Sequence, residues 1–386
     1  MSSSSKKVSF SCESMEMDPE LAKKLFIEGA TLLFLDVPVE TEFGIDLKSW
    51  QTGEKFKGVK MIPPGIHFVF YSARNKHGDI APRRGFIHNF QKAEILAVKW
   101  DSSLEDISYN SLSEEELQRF RDNLLYMDQF LGPYPYDVWD KWSRLTSHLN
   151  ENLVNKLMPE CGRISSAAEL IPDDNQNRKE KNKRRWSRAR TDEEKQEDLL
   201  PQLKPKEGTQ LRFTEPPEES YPAGSTPAEI TKHNLDTTYI FEKMVAQHDN
   251  PMDLIGEIQF AFVCFLVGLN YEAFEQWKLI IQLLCRCENA ISKRPAVFSE
   301  LVSTMEAQLG EVPEDFLVDV VTSNNVIYCS LRDFFATIQL TDLEIEGRLR
   351  CKISRFKEKL TTKFEWDFSN LEEEDDEDAP VIVYSE

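Results

Sequence analysis

Hydrophobic and polar positions fall into two kinds of pattern along the chain. Over the first hundred residues the apolar positions come in short bursts separated by Pro, Gly and Asn. The stretches "TLLFLDVP" (31–38), "GVKMIPPG" (58–65), "IHFVFYSA" (66–73), "RGFIHNFQ" (84–91) and "AEILAVKW" (93–100) each read as strands, which predicts an antiparallel sheet or a small sandwich. A short helix precedes them in "MDPELAKKLFIEGA" (17–30), with Asp18 as cap, Pro19 in the first helical position and Gly29 at the end. In "GVKMIPPGIHFVFYS" (58–72), Pro63, Pro64 and Gly65 predict a turn between strands. Beyond that turn Ile66, Phe68 and Phe70 point one way, and His67, Val69 and Tyr71 the other. A strand apolar on both faces is buried on both, or covered by a second layer.

From residue 112 the period becomes helical. Residues 112–136 open on a capping box, Ser113 with Glu116, and stop at Gly132–Pro133. Residues 136–157 place Trp139, Trp142, Leu145, Leu149 and Leu153 near helical spacing. Residues 160–207 then lose all periodicity into charge blocks, Gln, Asn and Pro, and read as a disordered linker. A second capping box, Thr226 with Glu229 behind Pro227, announces a domain of about seven helices. Within it Phe274, Trp277, Ile281, Leu284 and Cys285 share a face, as do Ile345, Leu349, Ile353, Phe356, Leu360 and Phe364. The expected organisation is α+β and multidomain: a β-rich, sandwich-like N-terminal domain with flanking helices (17–159), the linker (160–207), an all-α domain (208–370) and an acidic tail (371–386).

Composition narrows the function. A formal charge of −21 and a pI near 4.9 argue against a protein built to grip phosphates, and towards basic protein surfaces as partners. Seven cysteines without framework spacing fit a reducing compartment. The start "MSSSSKKVSF" has no apolar core of a secretory signal, and the longest apolar stretch, "FAFVCFLVGL" (260–269), is about half a membrane span. The chain reads as soluble and intracellular.

Candidate chemistry is sparse. "KHGD" (76–79), with His67 and His88 nearby, has the residue types of a two-histidine, one-carboxylate iron site. His77 and Asp79, however, sit in a polar turn, and such ligands need strands and bracing partners. Cys285 and Cys287 are too far apart in angle on one helix to clamp a metal, and Cys264, Cys329 and Cys351 read as core fillers. The chain shows no phosphate-binding loop, dinucleotide fingerprint, nucleophile elbow or zinc-protease motif. No catalytic residue, cofactor or metal is expected. "KNKRRWSRAR" (181–190) reads as a nuclear-import patch, an RNA-touching arm or solvated linker, and puts Ser187 and Thr191 where phosphorylation would change local charge by nearly two units per site. At the end, seven consecutive acids precede "PVIVYSE". There Pro380, Val381, Ile382, Val383 and Tyr384 form a β-prone segment able to add a strand to a partner's sheet, or to pair with the chain's own.

"MDPELAKKLFIEGA", "TEFGIDLKSW", "GVKMIPPGIHFVFYSA", "MDQFLGPYPY", "TPAEITKHNLD", "GEIQFAFVCFLVGLNYEAFEQWK" and "KFEWDF" together resemble the Aar-two (a-one/alpha-two repression) splicing-factor family, in order and spacing along nearly the whole chain. The serine-rich start, the basic linker and the end of the tail are not covered. The resemblance implies a VHS-like helical C-terminal domain and a role in assembling the U5 small nuclear ribonucleoprotein. It implies binding to the large U5 scaffold protein through that protein's RNase H-like and MPN-type domains, which keeps the U5 helicase off during cytoplasmic assembly, before nuclear import. Neither a membrane nor nucleic acid is an expected partner. The competing readings are a helical-stack adaptor in trafficking, a β-barrel metal-dependent oxygenase, and a direct RNA-binding splicing factor.

Overall fold

The computed structural model describes residues 19–74, 78–108, 113–172, 203–313, 325–340, 345–369 and 371. These fall into two compact units, one within residues 1–81 and 87–142, the other within 82–86 and 143–386. The architecture is α+β: a β-rich N-terminal region with flanking helices, followed by an all-helical C-terminal region.

In the first unit, α1 (Pro19–Glu28) leads into β1 (Ala30–Leu35), β2 (Glu42–Ile45), β3 (Lys48–Gln51), β4 (Gly58–Ile62), β5 (Gly65–Ser72), β6 (Arg84–Phe90), β7 (Ile95–Asp101) and β8 (Asp106–Ile107). After α2 (Glu114–Asp122) and α3 (Leu124–Met127) comes β9 (Leu131–Pro133). One sheet runs β8-β7-β1-β4-β9 and the other runs β6-β5-β2-β3. Of the two arrangements expected, an antiparallel sheet or a small sandwich, the pairing departs from the first: β1 lies parallel to β7, and β4 parallel to β9. The local alternation carries no information about strand direction, because partner choice is set by connections many residues long.

The Pro63–Pro64–Gly65 turn is the corner at which the chain leaves the first sheet and enters the second. Gly65 has φ +137°, in the region that disfavours a Cβ. From His67 to Ser72 every residue of β5 is buried. On the face shared with His67, Tyr71 meets Phe34 of β1 and Trp100 of β7 and donates its hydroxyl to Asp106. On the other face the Phe70 ring lies across Gly44, its partner on β2, where a Cβ would fall 2.1 Å from the ring.

The second unit begins with α4 (Trp139–Leu145), which straddles the boundary, and α5 (Glu151–Leu157). Both helices expected in residues 112–157 are interrupted. Asn123 ends α2 and turns its amide onto the Arg119 carbonyl (2.8 Å), while Asn150 starts α5 by accepting from the Leu153 amide (2.9 Å). Within the stretch expected to be a linker lie β10 (Ile164–Ser165), which pairs with Arg84 and Gly85, and a two-stranded ribbon of β11 (Leu170–Pro172) and β12 (Leu203–Pro205).

Eight helices follow among the described residues: α6 (Pro227–Leu235), α7 (Thr238–Val245), α8 (Asp253–Leu266), α9 (Tyr271–Cys285), α10 (Glu288–Lys293), α11 (Pro295–Glu311), α12 (Val326–Leu340) and α13 (Gly347–Phe364). The centre of the stack is α8, in which every residue from Leu254 to Cys264 is buried. A helix apolar on nearly all sides is stable only when neighbours cover all of it, here α5, α7, α9 and α11. Trp277, Ile281, Leu284 and Cys285 of α9 and Leu349, Ile353, Phe356, Leu360 and Phe364 of α13 are buried as their spacing predicts, whereas Phe274 is half-buried and Ile345 lies before the start of α13. No described helix is long and apolar enough to cross a membrane.

Candidate functional site

The first place for chemistry is His67, and its surroundings answer what a histidine does among aromatic residues. The side chain is fully buried. Its Nδ1 lies 2.7 Å from Asp46 Oδ2 and its Nε2 lies 2.8 Å from the Pro63 carbonyl, so each nitrogen faces an acceptor. The Trp139 ring stacks on the imidazole, while Tyr134 and Phe90 meet it edge-on. Asp46 also accepts from the Tyr134 hydroxyl (2.6 Å) and from the Phe68 amide (3.0 Å). Burial, then the Asp46 charge beside it, push the Tyr134 phenol far above its ordinary range, so it is held as a donor. Asp46 occupies the β2–β3 hairpin at φ +53°, a conformation that Asp tolerates better than most residues. Hairpin, inter-sheet corner and the segment before α4 are thus fastened by one carboxylate and one imidazole. Both ring nitrogens are turned onto protein acceptors, so neither faces a space in which a metal could sit.

Among the described residues, the other members of the two-histidine, one-carboxylate pattern form no metal-binding group. His88 Nε2 lies 2.8 Å from Glu94 Oε1 across a strand turn. His77 lies outside the described residues, and among the described residues no group of three or more His, Cys, Asp or Glu side chains could hold a metal ion.

In the helical unit, α8 carries two polar residues inside its buried run. Glu257 accepts from the Thr214 amide (2.8 Å), the Thr214 hydroxyl (2.6 Å) and the Gln276 amide (3.4 Å), with His248 Nε2 at 3.4 Å. Thr, His and Glu are the residue types of a nucleophile, a base and its orienting acid. Here the threonine proton goes to the glutamate, and all three side chains are closed to solvent, so nothing can approach the hydroxyl. The trio fastens the extended chain around Thr214 to α8. Gln259 does the same for the turn between α4 and α5: it accepts from the His148 amide (2.7 Å) and donates to Ser147 Oγ (2.9 Å) and Thr304 Oγ1 (3.3 Å). A signal for both was visible in "GEIQFAFVCF", since a carboxylate and an amide in so apolar a run must find partners.

Cys264, Cys285 and Cys287 are buried, and burial pushes each thiol well above its ordinary range, which leaves them unreactive. Cys287 instead donates to the Leu283 carbonyl (3.2 Å).

The residues singled out for partner binding, Pro380, Val381, Ile382, Val383 and Tyr384, lie outside the described residues, as do Ser187 and Thr191. What the fold does present is exposed apolar surface. Leu125 and Tyr126 on α3, and Phe26 and Ile27 on α1, are largely open to solvent. The β11–β12 ribbon pairs with no third strand among the described residues and shows Leu170 and Leu203 about half exposed. Its register sets Pro172 opposite Leu203.

Comparison with known proteins gives the chain a family. The AAR2 N-terminal domain matches residues 28–159, and the AAR2 C-terminal repeat region matches residues 213–369. The chain is 43% identical to the Protein AAR2 homolog of Mus musculus, over 96% of this chain and 97% of that protein. It is 35% identical to the homolog of Caenorhabditis elegans, over 92% and 98%. It is 21% identical to the A1 cistron-splicing factor AAR2 of Saccharomyces cerevisiae, over 92% and 97%. Two family domains in order, with relatives of this identity matched almost end to end, place the chain in the AAR2 family.

Proposed function

We propose that this protein is a non-catalytic factor of pre-mRNA splicing that acts by holding a protein partner during U5 snRNP assembly. Its partner in this reading is the large U5 scaffold protein, engaged through the RNase H-like and MPN-type domains so that the U5 helicase cannot bind early. The work is done in the cytoplasm, with entry to the nucleus. The observation that carries the reading is family membership: a relative aligned with 92% of the chain bears the name of a splicing factor. The side chains add support, since the histidines that bear on chemistry are spent on structural contacts, His67 with Asp46 and the Pro63 carbonyl and His248 with the Thr214 hydroxyl. Two separate compact units suit a protein that holds two partner domains at once. Joining two weak contacts gives the second an effective concentration of order mM, and a gain of roughly 10²–10⁴ in avidity.

The test is capture of the isolated RNase H-like and MPN-type domains by the intact protein and by a chain ending at Asp378. The intact protein is expected to join both domains, and the shortened chain to lose joint capture, which assigns Pro380 to Tyr384 as the added strand. Capture of neither domain by either chain overturns the reading. Joint capture that survives the truncation keeps the function and removes the tail from it.

A further inference from the structure

Among the described residues the most basic element is α13, which holds seven Lys or Arg side chains and one carboxylate, Glu358, in 18 residues. Four of them, Arg348, Lys352, Arg355 and Lys359, are spaced four, three and four apart and so share one flank. With Cys351 and with Glu306 of α11 they line a groove of about 620 Å³. Little there cancels the positive charge. Lys352 donates to the Ser299 carbonyl (2.6 Å) and hydroxyl (3.0 Å), both neutral, and only Lys359 meets a carboxylate, Glu306. Arg348 and Arg355 are exposed and form no ion pair among the described residues.

The chain leaving α13 doubles back along the same helix. Glu365 takes the left-handed conformation at φ +57°, and the Trp366 ring stacks on Phe364. The Asp367 carbonyl accepts from Tyr328 (2.6 Å), and Phe368 packs on Phe335, which itself meets Phe356. Asp367 is near enough to Lys357, almost two turns before the helix end, for the two charges to act on each other. The last described residue is Leu371, and residues 372–378 are seven consecutive acids.

We propose that this acidic run docks in the groove of Arg348, Lys352, Arg355 and Lys359, so that the chain carries its own occupant for this basic flank. Length permits it. The four basic residues span about 16 Å of helix, and seven extended residues reach about 23 Å, enough to cross the exposed side of a helix about 10–12 Å wide. Tethering favours the chain's own acids over those of another protein, since the effective concentration is of order mM. A docked run would shield the basic flank from RNA and other polyanions and would hold the β-prone end beside α13. The inference depends only on this chain, and its test uses no partner.

The experiment is zero-length carbodiimide cross-linking of the full chain in dilute solution, with the monomer isolated and its linked peptides mapped. The Lys359–Glu306 pair serves as an internal control. The expected result is a link between a carboxylate of residues 372–378 and Lys359 or Lys352. That link should vanish in the double variant Arg348→Glu, Arg355→Glu, and on raising salt from about 0.1 M to about 1 M, which shortens the screening length from about 10 Å to about 3 Å. Alkylation of the exposed Cys351 should become severalfold faster when the seven acids are changed to their amides. A control link without a tail link, a tail link found only in dimers, tail links scattered over lysines remote from α13, or an unchanged Cys351 rate would each overturn the proposal. Arg348 and Arg355 are exposed, so the double variant should melt where the parent does, and loss of the link then reports docking and not folding.

Discussion

The two units solve the same problem, a chain that must hold distant segments together, with different means. In the β-rich unit the fastening is a carboxylate–imidazole pair, Asp46 with His67, set where a hairpin, a corner between sheets and a connecting segment meet. In the helical unit it is a buried apolar helix, α8, whose two polar residues, Glu257 and Gln259, reach sideways to capture backbone of neighbouring segments. Sheets leave irregular corners with unpaired carbonyls, and a polar pair satisfies them. A helix satisfies its own backbone, so α8 needs polar side chains only where a non-helical segment lies against it.

Changing Asp46→Ala leaves a buried imidazole and a buried phenol without their acceptor, and the cost should be about 3–5 kcal/mol, read as a large fall in the melting temperature. A loss under about 1 kcal/mol would mean that the corner is held by packing alone. Glu257→Ala should cost somewhat less, about 1–3 kcal/mol, because the Thr214 amide is left buried and unpaired; protease cutting near Thr214 should appear in that variant and not in Asp46→Ala. Trp142→Phe removes the 2.8 Å bond from Nε1 to the Ile66 carbonyl while keeping most of the ring, and about 1 kcal/mol should be lost. The smallest effect belongs to the Glu242–Arg294 pair. The hydrogen bonds from Arg294 hold the Glu242 carboxyl below its ordinary value of 4.5, so its contribution is complete above that pH and disappears as the pH falls through the lowered value. Since the pair is partly exposed, Arg294→Ala should cost only a few tenths to about 1 kcal/mol at neutral pH, and less in acid. A cost that grows on acidification would contradict the assignment.

What the sequence disclosed follows from how local each signal is. Both capping boxes, the Pro-Pro-Gly corner and the apolar stripes of α9 and α13 are written within a few residues and are found where they were read. The partner of His67 is not, since Asp46 lies 21 residues away and is one acid among many. Parallel pairing of β1 with β7, and the joining of β11 to β12, rest on contacts between segments far apart in sequence. The breaks after α2 and before α5 turn on single asparagines whose capping role competes with helix continuation. The residues expected from sequence to bind a partner or to be phosphorylated lie in segments outside the described structure, so the fold adds nothing to what their sequence says.

The all-round burial of α8 has a consequence for motion. An amide in α6, where no side chain is buried, can exchange its hydrogen by fraying of that helix alone. The amides from Leu254 to Cys264 have no such local route: exposing one of them means removing helices on every side. Their exchange should therefore report the opening of the whole C-terminal unit, and they should be its slowest, whichever partner the protein is holding.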